Sequence, residues 1–225
     1  MTAIDALSNL EAYECWAERY PPLPHNPLMR AEQQALLALW PDVAGACALD
    51  LASGSGRYAR LLEERGAACV VATDLSPAML RRAPLALRVR ADMMVLPFRD
   101  ACFDLVVCGL AVGHAPQLER WMREVARVLV PGGAILCSDF HPDAAMAGMT
   151  RSFTDARQQR HTLLHAAYDL AAHRSAAAAA GLVLDDWREV RVGEQLCEAF
   201  TGSTEFYARW QGLPVVLALR LRKPR

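Results

Sequence analysis

The stretch Cys47 to Gly66, "CALDLASGSGRYARLLEERG", passes from an apolar run into small residues and glycines, then into a charged, periodic segment. That order predicts a buried strand, a tight turn and a helix. Glycine reaches the left-handed backbone such a turn needs and lets a ligand approach main-chain N–H groups closely. Within it "GSGRYA", Gly54 to Ala59, satisfies the pattern G-x-G-x-x-G/A, which serves many nucleotide-like ligands. The pattern fixes a class of fold before it fixes a ligand.

The rest of the chain repeats the alternation. Short apolar runs predict strands at 47–52, 68–73, 87–90, 103–109, 134–140, 183–192 and 214–221. Periodic stretches predict helices near 31–40, 58–65, 77–82, 117–129 and 158–180, the last closing on the alanine tract "SAAAAAG". Strands separated by helices require crossovers, and therefore an α/β, doubly wound, mostly parallel seven-stranded sheet with ligands at the strands' carboxyl ends. The run 193–213 is not a clean crossover helix, so the last strand is expected to be antiparallel. "YPPLPHNP", Tyr20 to Pro27, reads as a break, and "LVPGG", Leu129 to Gly133, as a structural turn.

A chain of 225 residues is within the range of one α/β domain, 1–225. A net charge of −1 offers no general attraction to polyanions, which argues against nucleic acid or an anionic membrane surface and favours a small-molecule substrate. The seven cysteines (15, 47, 69, 102, 108, 137 and 197) form no C-x-x-C pair and mostly sit in strand-like runs. They read as reduced thiols in a cytoplasmic protein. The N-terminus, "MTAIDALSNLEAYECWAERY", contains acids and no continuous apolar core, so neither a signal peptide nor an anchor is expected.

The strand ends carry the chemistry. Asp50 precedes the glycines, where a carboxylate repels a pyrophosphate and suits a ligand with an ammonium group. Asp74 follows the second strand, 20 positions after Gly54, the spacing at which a carboxylate accepts from ribose hydroxyls. Asp92, after the third strand, is placed to accept from an exocyclic adenine amine, with Met93 covering the ring. A nucleoside with an amino-acid tail meets these requirements.

Four ordered blocks, "ALDLASGSGRYARLL", "VVATDLSPAML", "RADMMVLPFRDACFDLVVCGLAVGH" and "WMREVARVLVPGGAILCSDF", cover roughly Ala48 to Phe140. In order and spacing the chain resembles class I S-adenosylmethionine-dependent methyltransferases, of the small-molecule group that includes the quinone-biosynthesis C-methyltransferases. The resemblance implies a Rossmann-like fold and S-adenosyl-L-methionine as cofactor. Carried over by position, Asp50, Ala52, Gly54 and Gly56 line the methionine portion. Asp74 and Leu75 take the ribose and adenine edge, and Asp92 with Met93 the adenine. Gly109 and Leu110 turn backbone groups toward the amino acid and sulfonium. Ala52 stands where the family usually has glycine, which is tolerable if its backbone is not at positive φ.

"YECWAERY" resembles the family's aromatic lid helix, giving residues 1–30 a capping role with Tyr13, Trp16 and Tyr20 at helical spacing. A permanent core stripe is the other reading. Residues 141–165 and 193–213 are expected to wall the acceptor pocket, the second with Phe200, Phe206, Tyr207 and Trp210.

Methyl transfer needs mainly alignment, and a general base only where the nucleophile carries a proton. Candidates are His114 after the fourth strand, Asp139 and His141 after the fifth, and His165 on the expected long helix; His141 precedes Pro142, where the chain is expected to turn across the substrate mouth. His161 and His165, four apart on the expected long helix, could with Asp139 and His141 imitate a metal set, but a solvated or packing role is expected and no metal. The function expected is methyl transfer from S-adenosylmethionine to an O, N or C nucleophile of a small molecule. The rivals are an NAD(P)-dependent oxidoreductase and a non-catalytic cofactor binder. Asp50 opposes the oxidoreductase, as does the lack of a Tyr-x-x-x-Lys pair, since Lys223 is the sole lysine.

Overall fold

The computed structural model describes residues 7–85, 87–155, 157–193, 196 and 204–225; of the side chains of 204, 206 and 207 nothing is stated. Nine strands are placed along it: β1 (Cys47–Leu51), β2 (Cys69–Asp74), β3 (Arg88–Arg90), β4 (Phe103–Gly109), β5 (Leu129–Phe140), β6 (Ser152–Thr154), β7 (Arg160–Thr162), β8 (Val183–Arg191) and β9 (Pro214–Arg222). Helices are α1 (Asn9–Trp16), α2 (Pro27–Ala38), α3 (Arg57–Glu64), α4 (Pro77–Arg82), α5 (Leu118–Val128), α6 (Pro142–Met146), α7 (Leu170–Ala179) and a last one at Thr204–Trp210.

Seven strands make one sheet in the order β3-β2-β1-β4-β5-β9-β8, and only β9 runs antiparallel to its neighbours. The antiparallel strand is the one expected, inserted between β5 and β8. Two apolar layers cover the sheet, as a doubly wound fold requires. Leu49, Leu51, Val106, Cys108, Ile135 and Cys137 pack with Trp121, Met122 and Val125 of α5 and with Ala176 and Ala177 of α7. Ala48, Val70, Ala72, Leu105, Val107 and Leu136 pack on the other face with Leu36 and Leu39, next to and following α2's end, and with Tyr58, Ala59 and Leu62 of α3. The buried positions of α5 (118, 121, 122, 125, 126 and 128) repeat at three and four residues, which puts one stripe on the sheet. Trp121 is fully buried there.

Three expectations change. The expected helix over 158–180 begins only at Leu170, where the Asp169 side chain accepts from the Ala172 N–H as an N-cap. Ahead of it β6 and β7 form a hairpin, because the Asp155 carboxylate accepts from the N–H groups of Arg157 and Gln159 and closes the turn. His161 therefore lies on a strand, with Nε2 2.9 Å from Asp155 Oδ2, and His165 in the following loop; they share no helix face. The helix expected from residue 31 starts at Pro27, because Asn26 caps it through the Met29 N–H and proline suits the first turn. "LVPGG" does turn the chain, with Gly132 at φ +85°, but it is already hydrogen-bonded into β5. β5's partners step from Leu129 opposite Phe103 to Ala134 opposite Leu105.

The described cysteines are all free. Cys108 and Cys137 are buried, Cys47, Cys69 and Cys102 are half-buried, and Cys15 on α1 is exposed rather than in the core; Cys197 lies outside the described residues.

Candidate active site

The sheet order reverses between β1 and β4, and open α/β sheets bind ligands in the crevice such a reversal leaves at the strands' carboxyl ends. A cavity of about 570 Å³ occupies that place, roofed by α1. Its volume suits a nucleoside-sized ligand with space beyond it.

One half is built by loops after β1, β2, β3 and β4. Ala52 and Gly54, then Asp74 and Leu75, then Asp92 and Met93, then Gly109 and Leu110 all line it. The Asp74 carboxylate accepts from the Gly54 N–H at 2.8 Å and the Ser76 N–H at 2.9 Å. Burial raises its pKa against those hydrogen bonds. Asp92 Oδ1 accepts from the Met94 N–H at 2.8 Å, which holds the loop that presents Met93. The Leu110 N–H is already donated to Ser138 Oγ, 3.0 Å away. Gly109 has no room for a side chain, because a Cβ there would overlap the Tyr58 ring. Two non-glycine residues bordering the cavity, Ala52 at φ +54° and Leu110 at φ +56°, are left-handed. The condition set for a tolerable Ala52 is thus not met: the methyl sits on a strained backbone of the kind found at functional sites.

Asp50 and Gly56 stand elsewhere. Asp50 is 1% exposed and absent from the cavity lining, and its Oδ2 accepts from the Ala59 N–H at 2.8 Å. That N–H belongs to the first turn of α3, whose cap, Gly56, has no side chain to satisfy it. Burial pushes the Asp50 carboxyl up to about 7. Gly56 has φ +80°, and a Cβ on it would stand 3.0 Å from Ala83 Cβ, so it secures close packing beneath the site.

Arg57 follows in the cavity wall, and its partner was not evident in the glycine motif. Its Nη2 donates to Glu32 Oε2 at 2.8 Å, while Tyr58 Oη and Ser138 Oγ donate to Oε1 at 2.7 and 2.5 Å. Glu32 is fully buried. The signal was available: Met29, Glu32, Leu36 and Leu39 repeat at helical spacing, which puts an acid on α2's apolar stripe.

The other half lies under α1 and over the ends of β4 and β5, lined by His114, Pro116, Phe140, Met149, Thr150, Arg151, Ser152 and Leu163. Residues of the expected wall 141–165 are here. Of 193–213, no described residue lines the cavity, and Phe200 lies outside the described residues. His114 Nε2 is 3.0 Å from Tyr13 Oη, and its Nδ1 is 3.1 Å from the Leu164 carbonyl. Burial, helped by the nearby Arg151 cation, depresses His114 to about 3, so it is neutral. Burial also raises the Tyr13 and Tyr20 phenols.

Asp139 is buried behind this surface, accepting from the N–H groups of Gly113 and Phe140, and does not line the cavity. His141 does not line it either. It caps α6, with Nδ1 accepting from the Asp143 N–H at 3.1 Å and Nε2 3.2 Å from Glu189 Oε2. Proline at position 142 starts a helix here rather than turning the chain across the mouth. Among the described residues no group of three His, Cys, Asp or Glu side chains is arranged to hold a metal ion.

α1 is fastened at both ends of the cavity. Its N-cap Ser8 and Glu11 form a reciprocal capping box. Glu14 Oε1 accepts from Ser76 Oγ at 2.5 Å and from the Ala78 N–H at 3.2 Å, at the start of α4. Trp16 stacks on Phe153 of the hairpin at 4.7 Å and meets Tyr20 edge-on. The Tyr20 ring lies against Gly54.

The residues present fit S-adenosylmethionine: a buried acid at the end of β2 for the ribose, the Asp92–Met93 slot for adenine, and a glycine turn open to the cavity. The model of one protein family, described as a methyltransferase domain, matches residues 49–137. Over 103 residues the chain is 43% identical to the malonyl-[acyl-carrier protein] O-methyltransferase of Halorhodospira halophila, covering 42% of this chain and 35% of that one. It is 41% identical over 103 residues to the demethylmenaquinone methyltransferase of Thermus thermophilus, covering 42% and 47%. The chain thus spans less than half the length of either relative. An S-adenosylmethionine-dependent methyltransferase from Mesorhizobium loti superposes with a TM-score of 0.67 at 26% identity, over 85% of this chain and 97% of that one. Residues 49–137 match a methyltransferase domain, and by fold and by these likenesses the chain is similar to class I S-adenosylmethionine-dependent methyltransferases.

Proposed function

We propose that the chain transfers the sulfonium methyl of S-adenosylmethionine to a small-molecule acceptor. The carrying observation is that one cavity joins the Asp74–Asp92–Met93 edge to a second space walled by His114, Phe140 and Arg151. A cofactor and an acceptor can therefore lie end to end without bulk water between them. The cofactor supplies an already activated methyl group, so the protein's work is binding and alignment.

Asp74 accepts the ribose hydroxyls, keeping its bonds to Gly54 and Ser76, and Asp92 accepts from the adenine amine with Met93 against the ring. The Arg57–Glu32 pair holds the wall beside the methionine tail. α1, with residues 1–30, acts as the lid: Tyr13, Trp16 and Tyr20 cover the reacting centre and exclude water. Segment 141–165 supplies the acceptor wall. His114 orients Tyr13 and, being neutral with depressed basicity, removes no proton.

No helix among the described residues is long and apolar enough to cross a membrane. Reduced thiols and the near-zero net charge support a cytoplasmic enzyme acting on a small metabolite. An oxidoreductase is not favoured by the family match or by the carboxylate set. Calorimetry decides between the two cofactors: S-adenosylhomocysteine is expected to bind stoichiometrically and NADH not at all, and the reverse result overturns the reading.

A further inference from the structure

Two arginines line the cavity, and they differ in their pairing. Arg57 is neutralised by Glu32 at 2.8 Å. Arg151 is 84% buried by side-chain area, the complement of its 16% exposure, and its Nη1 has no hydrogen-bond partner. The nearest acid, Asp139, is 3.7 Å away at Oδ1, and both its oxygens already accept backbone N–H groups, from Phe140 and Gly113. A buried guanidinium N–H left unpaired is costly unless a ligand completes it. Arg151 lines the cavity beside Asp139, at the end of β5.

Among the described residues lining the cavity near Arg151, none is an effective base. His114 is held neutral by burial and by the Arg151 cation, the Tyr13 and Tyr20 phenols are held protonated, and His141 and Asp139 do not reach the space. An acceptor that must lose a proton is poorly served there. An acceptor that arrives ionised is served by a cation whose ion pair with Asp139 is long and whose Nη1 makes no hydrogen bond.

We propose that Arg151 binds the carboxylate of an anionic acceptor, and that the enzyme methylates that carboxylate oxygen to a methyl ester. The inference rests on the methyltransfer reading above. One guanidinium N–H holds one carboxylate oxygen, and the other oxygen attacks. The new O–CH3 bond forms as the S–CH3 bond breaks, and its electron pair stays on sulfur. Carboxylate anion and sulfonium cation become neutral ester and thioether, with no proton transferred.

The test uses the full chain with S-adenosylmethionine and a panel of carboxylates, each paired with its primary amide. The pairs are benzoate, phenylacetate, hexanoate, and the malonyl and glutaryl thioesters of N-acetylcysteamine, with methyl esters read by mass spectrometry. At least one carboxylate is expected to be esterified, none of the amides methylated, and the rate to stay flat from pH 6 to 8.5. Arg151→Gln is expected to lower kcat/KM about 100-fold, mainly through KM, while S-adenosylhomocysteine affinity stays within about threefold. Arg151→Lys should recover part of the loss, and the melting temperature of unliganded Arg151→Gln should not fall.

The inference is overturned if no carboxylate is esterified by a protein that binds S-adenosylhomocysteine, or if esterification survives Arg151→Gln. A parallel loss of S-adenosylhomocysteine affinity in Arg151→Gln also overturns it, because Arg151 would then serve the cofactor's own carboxylate. Failure of the wild-type chain to bind S-adenosylhomocysteine would instead remove the methyltransfer reading itself.

Discussion

The Asp74 carboxylate accepts the Gly54 N–H at 2.8 Å, which ties the end of β2 to the glycine turn after β1 at the floor of the cavity. One side chain therefore shapes the turn and faces the cavity, where we propose it accepts the ribose hydroxyls. Asp74→Ala is expected to weaken S-adenosylhomocysteine binding by roughly 1.5–3 kcal/mol, the scale of hydrogen bonds to a charged group. Titration calorimetry checks it, and an unchanged dissociation constant removes the ribose assignment.

Ala52 tests the strain at the end of β1. A left-handed conformation costs a non-glycine residue about 1–2 kcal/mol. Glycine gives back about 0.5–1 kcal/mol through the freedom it adds to the unfolded chain. Ala52→Gly is therefore expected to stabilise the protein by up to about 1 kcal/mol, read from denaturant midpoints. A clear loss of stability would mean that the methyl's packing outweighs the strain.

Asp50 gives the fold a pH dependence of known sign. Its carboxyl is raised by burial from 3.8 to about 7, so between those values the native state binds more protons than the unfolded chain. Stability from this group is full below about pH 4 and is lost as pH rises toward 7, with a limiting slope of about 1.4 kcal/mol per pH unit. Asp50→Asn keeps an acceptor for the Ala59 N–H and removes the titration. The stability difference, variant minus wild type, is expected to grow from pH 4 to 7. A constant difference would show that Asp50 ionises normally.

The lid reading predicts exchange behaviour. α1 is joined to the body through Asn9, Tyr13, Glu14 and Trp16, which reach Leu164, His114, Ser76 and Phe153, none of them in the seven-stranded sheet. Amide exchange across Leu10 to Tyr20 is expected to be fast in the free protein and to slow on adding S-adenosylhomocysteine, with the strands changing less. Slow exchange in both states would make α1 a fixed part of the core.

The centre of the sheet was legible because β1, β2, β4 and the second half of β5 are largely apolar runs, and a central parallel sheet buries both faces of each strand. Glycines mark the turn after β1 for the same local reason. What was not legible depends on partners distant in sequence. Asp50 looks like a ligand acid until α3 is seen to lack a capping side chain. His141 looks like a mouth residue until Glu189 of β8 is found beside it. The hairpin of β6 and β7 was hidden because an Asp-closed turn and two three-residue strands leave little periodicity, and the alanine-rich helix behind it drew the helical reading forward. Arg151 lay in the expected wall 141–165, but nothing in the sequence singled it out, because its importance comes from an incomplete pairing with Asp139.

The position of β9 has a consequence for biosynthesis. Residues 214–222 lie between β5 and β8, so until the ribosome has delivered them β8 has no partner strand and β5 is paired on one edge only, with β4. During that interval β5, apolar along most of its length, presents an open edge able to pair with another nascent chain. The methyltransferase fold thus places its slowest, most nonlocal closure last, and a chaperone that shields β5 would act in that window.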